Sequence, residues 1–291
     1  MKMVYIGIDL GGSSISAGLV DKEMIHFLKE KTPADAAGIQ SVLKKLVGEL
    51  LVFADSQGMQ VKGIGIGSPG PLDKENGMIL NTPNLPQNME LRKPLQEVFP
   101  LPIIIENDAN CFGLAEAHFG AGVGKRFVGG FTLGTGVGTC FLMDKKLFLG
   151  RGNATEFGHS TLKFDDNAGL DGRRGSVEYY LGKEAQLRYI KEAGFGTMRP
   201  REVHDLASQG DVQASEVFKE YGKYLGIAIA NFANTLDPEI VVLGGGAANS
   251  FAFFKETMFA EMKDRLIVEP VEVVASNLKH PGVLGAAALF M

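Results

Sequence analysis

The stretch with the most chemical promise in this chain is Glu106-Asn107-Asp108-Ala109-Asn110. Three isoleucines, Ile103, Ile104 and Ile105, lead into it and read as a buried strand. The residues from Cys111 to Phe119 read as a helix. Asp108 therefore falls at the C-terminal end of a strand and beside the start of a helix. In α/β folds that edge is where ligands bind. A carboxylate there can orient a hydroxyl and take its proton, or it can serve as a plain helix N-cap.

Glycine turns supply a second kind of chemistry. Asp9-Leu10-Gly11-Gly12-Ser13-Ser14 lies between strands expected at 3–10 and 15–20. Glycines let backbone N–H groups approach a phosphate, and serine hydroxyls can add donors. Asp9 can hold a Mg²⁺ ion through water. The alternative is a tight hairpin with no ligand. The scheme recurs further on: a strand at 126–133 that includes Thr132, then Gly134-Thr135-Gly136-Val137-Gly138-Thr139, then a strand at 140–143. Two such hairpins point to an internally duplicated fold with two backbone cradles for phosphate. A third turn, Gly244-Gly245-Gly246, follows a strand at 238–243 and opens a helix at 250–264.

The remaining elements must position these turns. An amphipathic helix is expected at 36–57, where Ile39, Leu43, Leu46, Val47 and Leu50 recur at helical spacing. A strand at 61–67 carries small residues on one face. A proline-rich loop at 78–86 holds Asn81 and Asn84, which suit a turn and equally a polyhydroxy ligand. Further helices are expected at 89–99, at 177–193 behind a Ser176 cap with Glu178 in the first turn, and at 200–208, 214–236 and 281–290. An edge strand is expected at 267–274.

Composition narrows the classes. The chain has 291 residues, 45% hydrophobic and 22% charged, with a formal net charge of -5. That balance gives no basic surface for nucleic acid or anionic lipid. No apolar run approaches the length of a membrane helix. The only cysteines, Cys111 and Cys140, sit in apolar surroundings and read as reduced core residues. Without a leader-like start, this suggests a cytoplasmic protein.

In their order, these motifs resemble the ROK family of sugar kinases and related repressors, within the actin-like ATPase and sugar kinase superfamily. The resemblance rests on Gly7-Ile8-Asp9-Leu10-Gly11-Gly12-Ser13, Gly67-Ser68-Pro69-Gly70, Asn81-Thr82-Pro83-Asn84-Leu85, Glu106-Asn107-Asp108-Ala109-Asn110, Leu133-Gly134-Thr135-Gly136-Val137-Gly138, Glu156-Phe157-Gly158-His159 and Leu243-Gly244-Gly245-Gly246. It implies two ribonuclease-H-like α/β domains with an interdomain cleft, one formed by 1–107 plus 281–291 and the other by 108–280. It implies ATP phosphates on 9–14 and 132–138, with Mg²⁺, and the adenosine near Gly244, Gly245 and Gly246. It makes Asp108 the general base toward a hexose 6-hydroxyl, glucose by default. Asn107, Glu156, His159 and Glu178 would bond the sugar hydroxyls, with Gly70 and Asn81 lining the pocket. A homodimer is implied as well.

The chain departs from the family at its zinc site. Many members supply three cysteines shortly after the Gly-His pair; here Gly169, Asp171 and Ser176 stand in those positions. Without thiolates a tetrahedral zinc cage has no ligands, so no structural zinc is expected. Ion pairs from Arg173 or Arg174 offer one way to hold the loop instead. Other sugars, polyphosphate as donor, and a sugar-sensing regulator without catalysis are the competing readings. Family repressors carry an N-terminal helix-turn-helix domain, whereas this chain enters its first strand by Met3.

Overall fold

A computed structural model describes residues 1–291 except 83, 153–154, 167–168 and 171–172, and gives the backbone alone at 169, 170 and 173. The chain forms two compact units: Met1–Gly124 with Lys145–Leu147 and Asn277–Met291, and Lys125–Asp144 with Phe148–Ser276. Among the described residues no helix is long and apolar enough to cross a membrane.

The first unit is built on β1 (Lys2–Leu10), β2 (Ser14–Val20), β3 (Met24–Lys31), β4 (Met59–Ser68) and β5 (Ile103–Asn107). Their order is β3-β2-β1-β4-β5, antiparallel through the hairpins and parallel from β1 to β5. Alternation gives the two faces opposite characters. Ile6, Ile8, Ile15, Ile64, Ile66 and Ile105 form one face, covered by helix α1 (Ala36–Ser56) through Ile39, Leu43, Leu46 and Leu50. The other face is thinned by glycine. A Cβ at Gly7 would lie 1.9 Å from the Val283 carbonyl oxygen, and one at Gly65 1.8 Å from that of Ala286. That face is therefore open to the backbone of the C-terminal helix, Pro281–Ala288.

Helix α2 (Asp108–Phe119) packs on the C-terminal helix, which explains why the unit boundary falls after Gly124 and not at the expected 107/108. A Cβ at Gly285 would lie 1.6 Å from the Cys111 carbonyl oxygen, so the two helices cross in backbone contact.

The second unit repeats the scheme. β6 (Phe127–Leu133) and β7 (Val137–Met143) form the hairpin; β8 (Ile240–Gly244) and β9 (Glu272–Ala275) continue parallel from β6. Its core is aromatic, with Phe131 edge-on to Phe232 at 5.1 Å between ring centroids and Phe157 edge-on to the same ring at 5.4 Å.

Three expected elements come out differently. The 177–193 helix is two, α3 (Val177–Leu181) and α4 (Lys183–Glu192), because Gly182 between them is extended and packs against the Thr135 carbonyl. The 89–99 segment opens as a strand, Met89–Glu90, before the short helix Arg92–Gln96. The 267–274 strand pairs only over Glu272–Ala275, beyond Pro270. Both cysteines are buried and neither is in a disulfide, which agrees with their reading as core residues.

Candidate active site

The register of the first sheet places Asp9, Gly67 and Glu106 in one row at the C-terminal ends of three parallel strands. Asp9 is half-buried and its carboxyl is pushed up to about 6, first by burial and then by the nearby Asp108 carboxylate, with Lys29 acting in the opposite direction. A Cβ at position 282 would lie 2.6 Å from the Asp9 carboxyl carbon, so Gly282 makes room for this side chain.

Helix α2 takes its cap from Asn107, whose backbone is extended and whose Oδ1 accepts from Ala109 N at 2.9 Å. Asp108 is the first helical residue, one step past the cap position. Its side chain is exposed, and its Oδ1 accepts from Ala109 N at 2.8 Å. Gly70 lies against Asn107: a Cβ there would be 3.4 Å from the Asn107 Nδ2. Asn81 is exposed in the adjoining loop. Pro83 of the same motif lies outside the described residues.

The first glycine turn is closed by Gly11 N donating to Ser14 O at 3.1 Å. Thr32 braces it twice, through Oγ1 to Gly11 O at 2.6 Å and through its N–H to Ser13 O at 3.2 Å. Gly12 and Ser13 are exposed at its tip. Gly12, Lys31, Thr32 and Asn84 line an open groove of about 760 Å³. No local pattern signals the Thr32 role, because the contact spans a whole hairpin.

In the second unit, the Gly134-Thr135-Gly136 turn closes through Gly134 N to Gly136 O at 3.0 Å, with Thr132 just before it on β6. Glu178 sits under this turn. Its Oε2 accepts from Val137 N at 2.9 Å and would lie 2.2 Å from a Cβ at Gly136. One of its oxygens is therefore engaged with the turn. Glu156 and His159 flank the short turn Phe157–His159, both exposed, with Glu156 Oε2 3.7 Å from His159 Nε2. Thr139 fastens that turn to β7, its hydroxyl donating to Thr155 O and accepting from Phe157 N.

The third turn carries Gly245 at φ 84°, where glycine is favoured. Gly244 ends β8 and Gly246 starts the next turn. Gly134 and Gly246 line one cavity of about 550 Å³, together with Lys183, Arg201 and His204. His204 Nδ1 is 2.9 Å from Ser250 Oγ. The sequence reading missed Lys183, Arg201 and His204, which reach the cavity from two helices, Lys183–Glu192 and Pro200–Ser208, both far in sequence from the Gly134 and Gly246 turns.

The loop at 160–177, where the resemblance would lead one to look for a zinc site, has its own fastenings. Gly175 O accepts from Leu162 N at 2.7 Å and Lys163 N at 3.1 Å, and Val177 N donates to Ser160 O at 2.9 Å. Tyr180 donates its hydroxyl to Asp166. Ser176, at a position where the family pattern has cysteine, caps α3 by accepting from Tyr179 N at 3.2 Å. Asp171 lies outside the described residues, as does the Arg173 side chain proposed as an ion-pair donor. Among the described residues no three His, Cys, Asp or Glu side chains are grouped to hold a metal.

Two sheets of one plan, each led by a glycine hairpin, define a protein of the actin-like ATPase fold. The ROK family model matches residues 5–291, and the chain belongs to that family. The glucokinase of Thermotoga maritima is 32% identical over 316 residues, covering 99% of this chain and 97% of that protein. The N-acetyl-D-glucosamine kinase of Vibrio atlanticus is also 32% identical, over 98% of this chain and 99% of that one. Among solved structures, a ROK family glucokinase from Streptomyces griseus in complex with glucose and AMPPNP superposes with a TM-score of 0.82 at 30% identity, covering 98% of both chains.

Proposed function

We propose that this chain transfers the γ-phosphoryl group of ATP to the 6-hydroxyl of a hexose, with glucose the first substrate to test. The observation that carries the reading is the placement of Asp108. Asn107 caps the helix, which leaves an exposed carboxylate at the strand end beside a glycine phosphate turn. A sugar hydroxyl is too weak an acid to attack unaided; a carboxylate within hydrogen-bond reach aims it and accepts its proton as the new P–O bond forms. By the family resemblance, Asn107, Glu156, His159 and Glu178 bond the sugar hydroxyls, and Gly70 and Asn81 line its pocket. The backbone at Gly11, Gly12, Ser13 and Ser14 and at Thr132, Gly134, Thr135 and Gly136 holds phosphates. Gly244, Gly245 and Gly246, with Lys183 and His204, form the nucleoside side of the second unit's cavity.

Asp9 fits a water-bridged Mg²⁺ ion. It is a partly buried carboxylate whose charge is disfavoured by its surroundings and by Asp108, the condition a nearby cation relieves. When bound, the ion offsets charge on the phosphates. A zinc ion does not fit the Ser160–Ser176 region, since Ser176 is used as a helix cap and Gly169 has no ligand atom in its side chain. We read the protein as a cytoplasmic homodimer without structural zinc. The second reading keeps the chemistry and changes the acceptor to N-acetylglucosamine, favoured by the relative of equal identity.

The test is ADP release with Mg·ATP over a panel of hexoses and N-acetylhexosamines, repeated with polyphosphate while sugar phosphate is followed. Sugar-dependent turnover is expected, with Asp108→Asn keeping sugar binding and losing about a hundredfold or more in kcat. No turnover with any sugar and either donor would sink the kinase reading and leave a regulator. Near wild-type turnover by Asp108→Asn would remove Asp108 from the base role.

A further inference from the structure

Beneath Asp108 lies an ion pair that the proposed chemistry does not use. Glu106 is 4% exposed, at the end of β5. Its Oε1 accepts from three donors: Lys74 Nζ at 2.5 Å, Asn107 N at 2.8 Å and Asn110 Nδ2 at 2.9 Å. Asn107 precedes Asp108 and Asn110 lies in the first turn of α2. The carboxylate thus spans the corner in which Asp108 sits. A buried anion needs a partner, and a carboxylate held by a cation and two N–H groups is well compensated.

Lys74 comes from a different part of the chain. It lies in the turn between the short strands Leu72–Asp73 and Met78–Ile79, in the loop that begins at Gly70. That turn is itself pinned. Arg92 donates to the Lys74 and Glu75 carbonyls, both at 2.7 Å, and Asp73 accepts from Asn76 N at 2.9 Å. The lysine therefore joins a braced loop, whose first residue lies against Asn107, to the corner that carries Asp108. Lys74 also counters the carboxylates around it: the buried Cys111 thiol is pushed up first by burial and then by Glu106, Asp108 and Asp9, with Lys74 opposing them.

We infer that Lys74 is a positioning residue. Its ion pair with Glu106 sets the Gly70 loop and the Asn107–Asp108 corner in register, so that the sugar is held where Asp108 can reach its hydroxyl. The inference rests on the sugar kinase reading.

Four proteins test it: wild type, Lys74→Arg, Lys74→Met and Lys74→Met/Glu106→Gln. In the double variant both charges are gone, while the introduced glutamine keeps an acceptor for Asn107 N and Asn110. A displacement of a reacting group by about 1 Å costs on the order of a hundredfold in rate, and a loosened clasp should cost at least about tenfold in kcat/KM for sugar. Lys74→Met is expected to lose both thermal stability and sugar kcat/KM, with the KM for ATP within about twofold of wild type. The double variant should regain stability yet stay about tenfold down on sugar. Lys74→Arg should keep both within about threefold. A double variant, folded and with wild-type sugar kinetics, overturns the inference, because a purely structural pair predicts that kinetics follow stability. If Lys74→Met does not fold, the double variant alone decides. Failure of the kinase reading is read from wild type, not from the variants. Wild type that binds hexose by calorimetry without turnover ends that reading, and Lys74 is then judged on binding, expected about tenfold weaker in the double variant.

Discussion

Asp9 and Asp108 share one small region of the first unit, and their charges do not suit each other. Asp9 is pushed from its ordinary 3.8 to about 6. A carboxyl raised by folding contributes stability that is fully present below its unfolded value and is lost as pH rises through its folded value. In the ligand-free protein, that cost grows between about pH 4 and pH 6 and is constant above. Asp9→Asn removes it. The variant should match wild type near pH 4 and exceed it by up to about 2 kcal/mol at pH 7, discounted for partial exposure. Urea unfolding across that range checks it; a constant difference at all pH values would refute the assignment. The Asp108 carboxylate was legible at this scale because a strand run, a polar pair and a helix are adjacent in sequence. Lys74, Thr32 and Lys183 were not legible. Each meets its partner across a fold-level contact that no local spacing encodes.

Among the elements, the C-terminal helix has the most demanding fit. It lies on glycines of β1 and β4 and crosses α2 at Gly285. Gly285→Ala forces backbone from backbone and should cost about 2 kcal/mol or more. Gly48→Ala on α1 meets nothing within 4 Å and should gain up to about 1 kcal/mol from helix propensity alone. Chemical denaturation of both variants separates packing from propensity. The alternating Ile and Gly of β4 were readable as a strand with one small-residue face, but the direct backbone contact of the C-terminal helix with that face was not. The loop before α3 was readable as lacking cysteines and as ending in the Ser176 cap; its backbone ladder appears once the chain is folded. Metal analysis of purified protein should find far less than one zinc per chain, and a chelator should leave the Tm unchanged.

At the level of the whole molecule, the repeated hairpin was a sound guide. Two turns of similar composition, each between two strands, became two sheets of the same plan. The sequence reading divides the chain at 107/108; the contact units divide after Gly124, with α2 packed on the C-terminal helix.

That contact has a consequence for how the protein is made. The helix that fills the glycine face of the first unit is encoded after the whole of the second. On a ribosome, β1 to β5 and α2 emerge early and wait, one side of their sheet uncovered, while residues 125–276 are synthesised. The second unit, by contrast, has all its strands and helices in hand once Ser276 has cleared the exit tunnel. Translation order and folding order are then reversed: the half synthesised first is completed last.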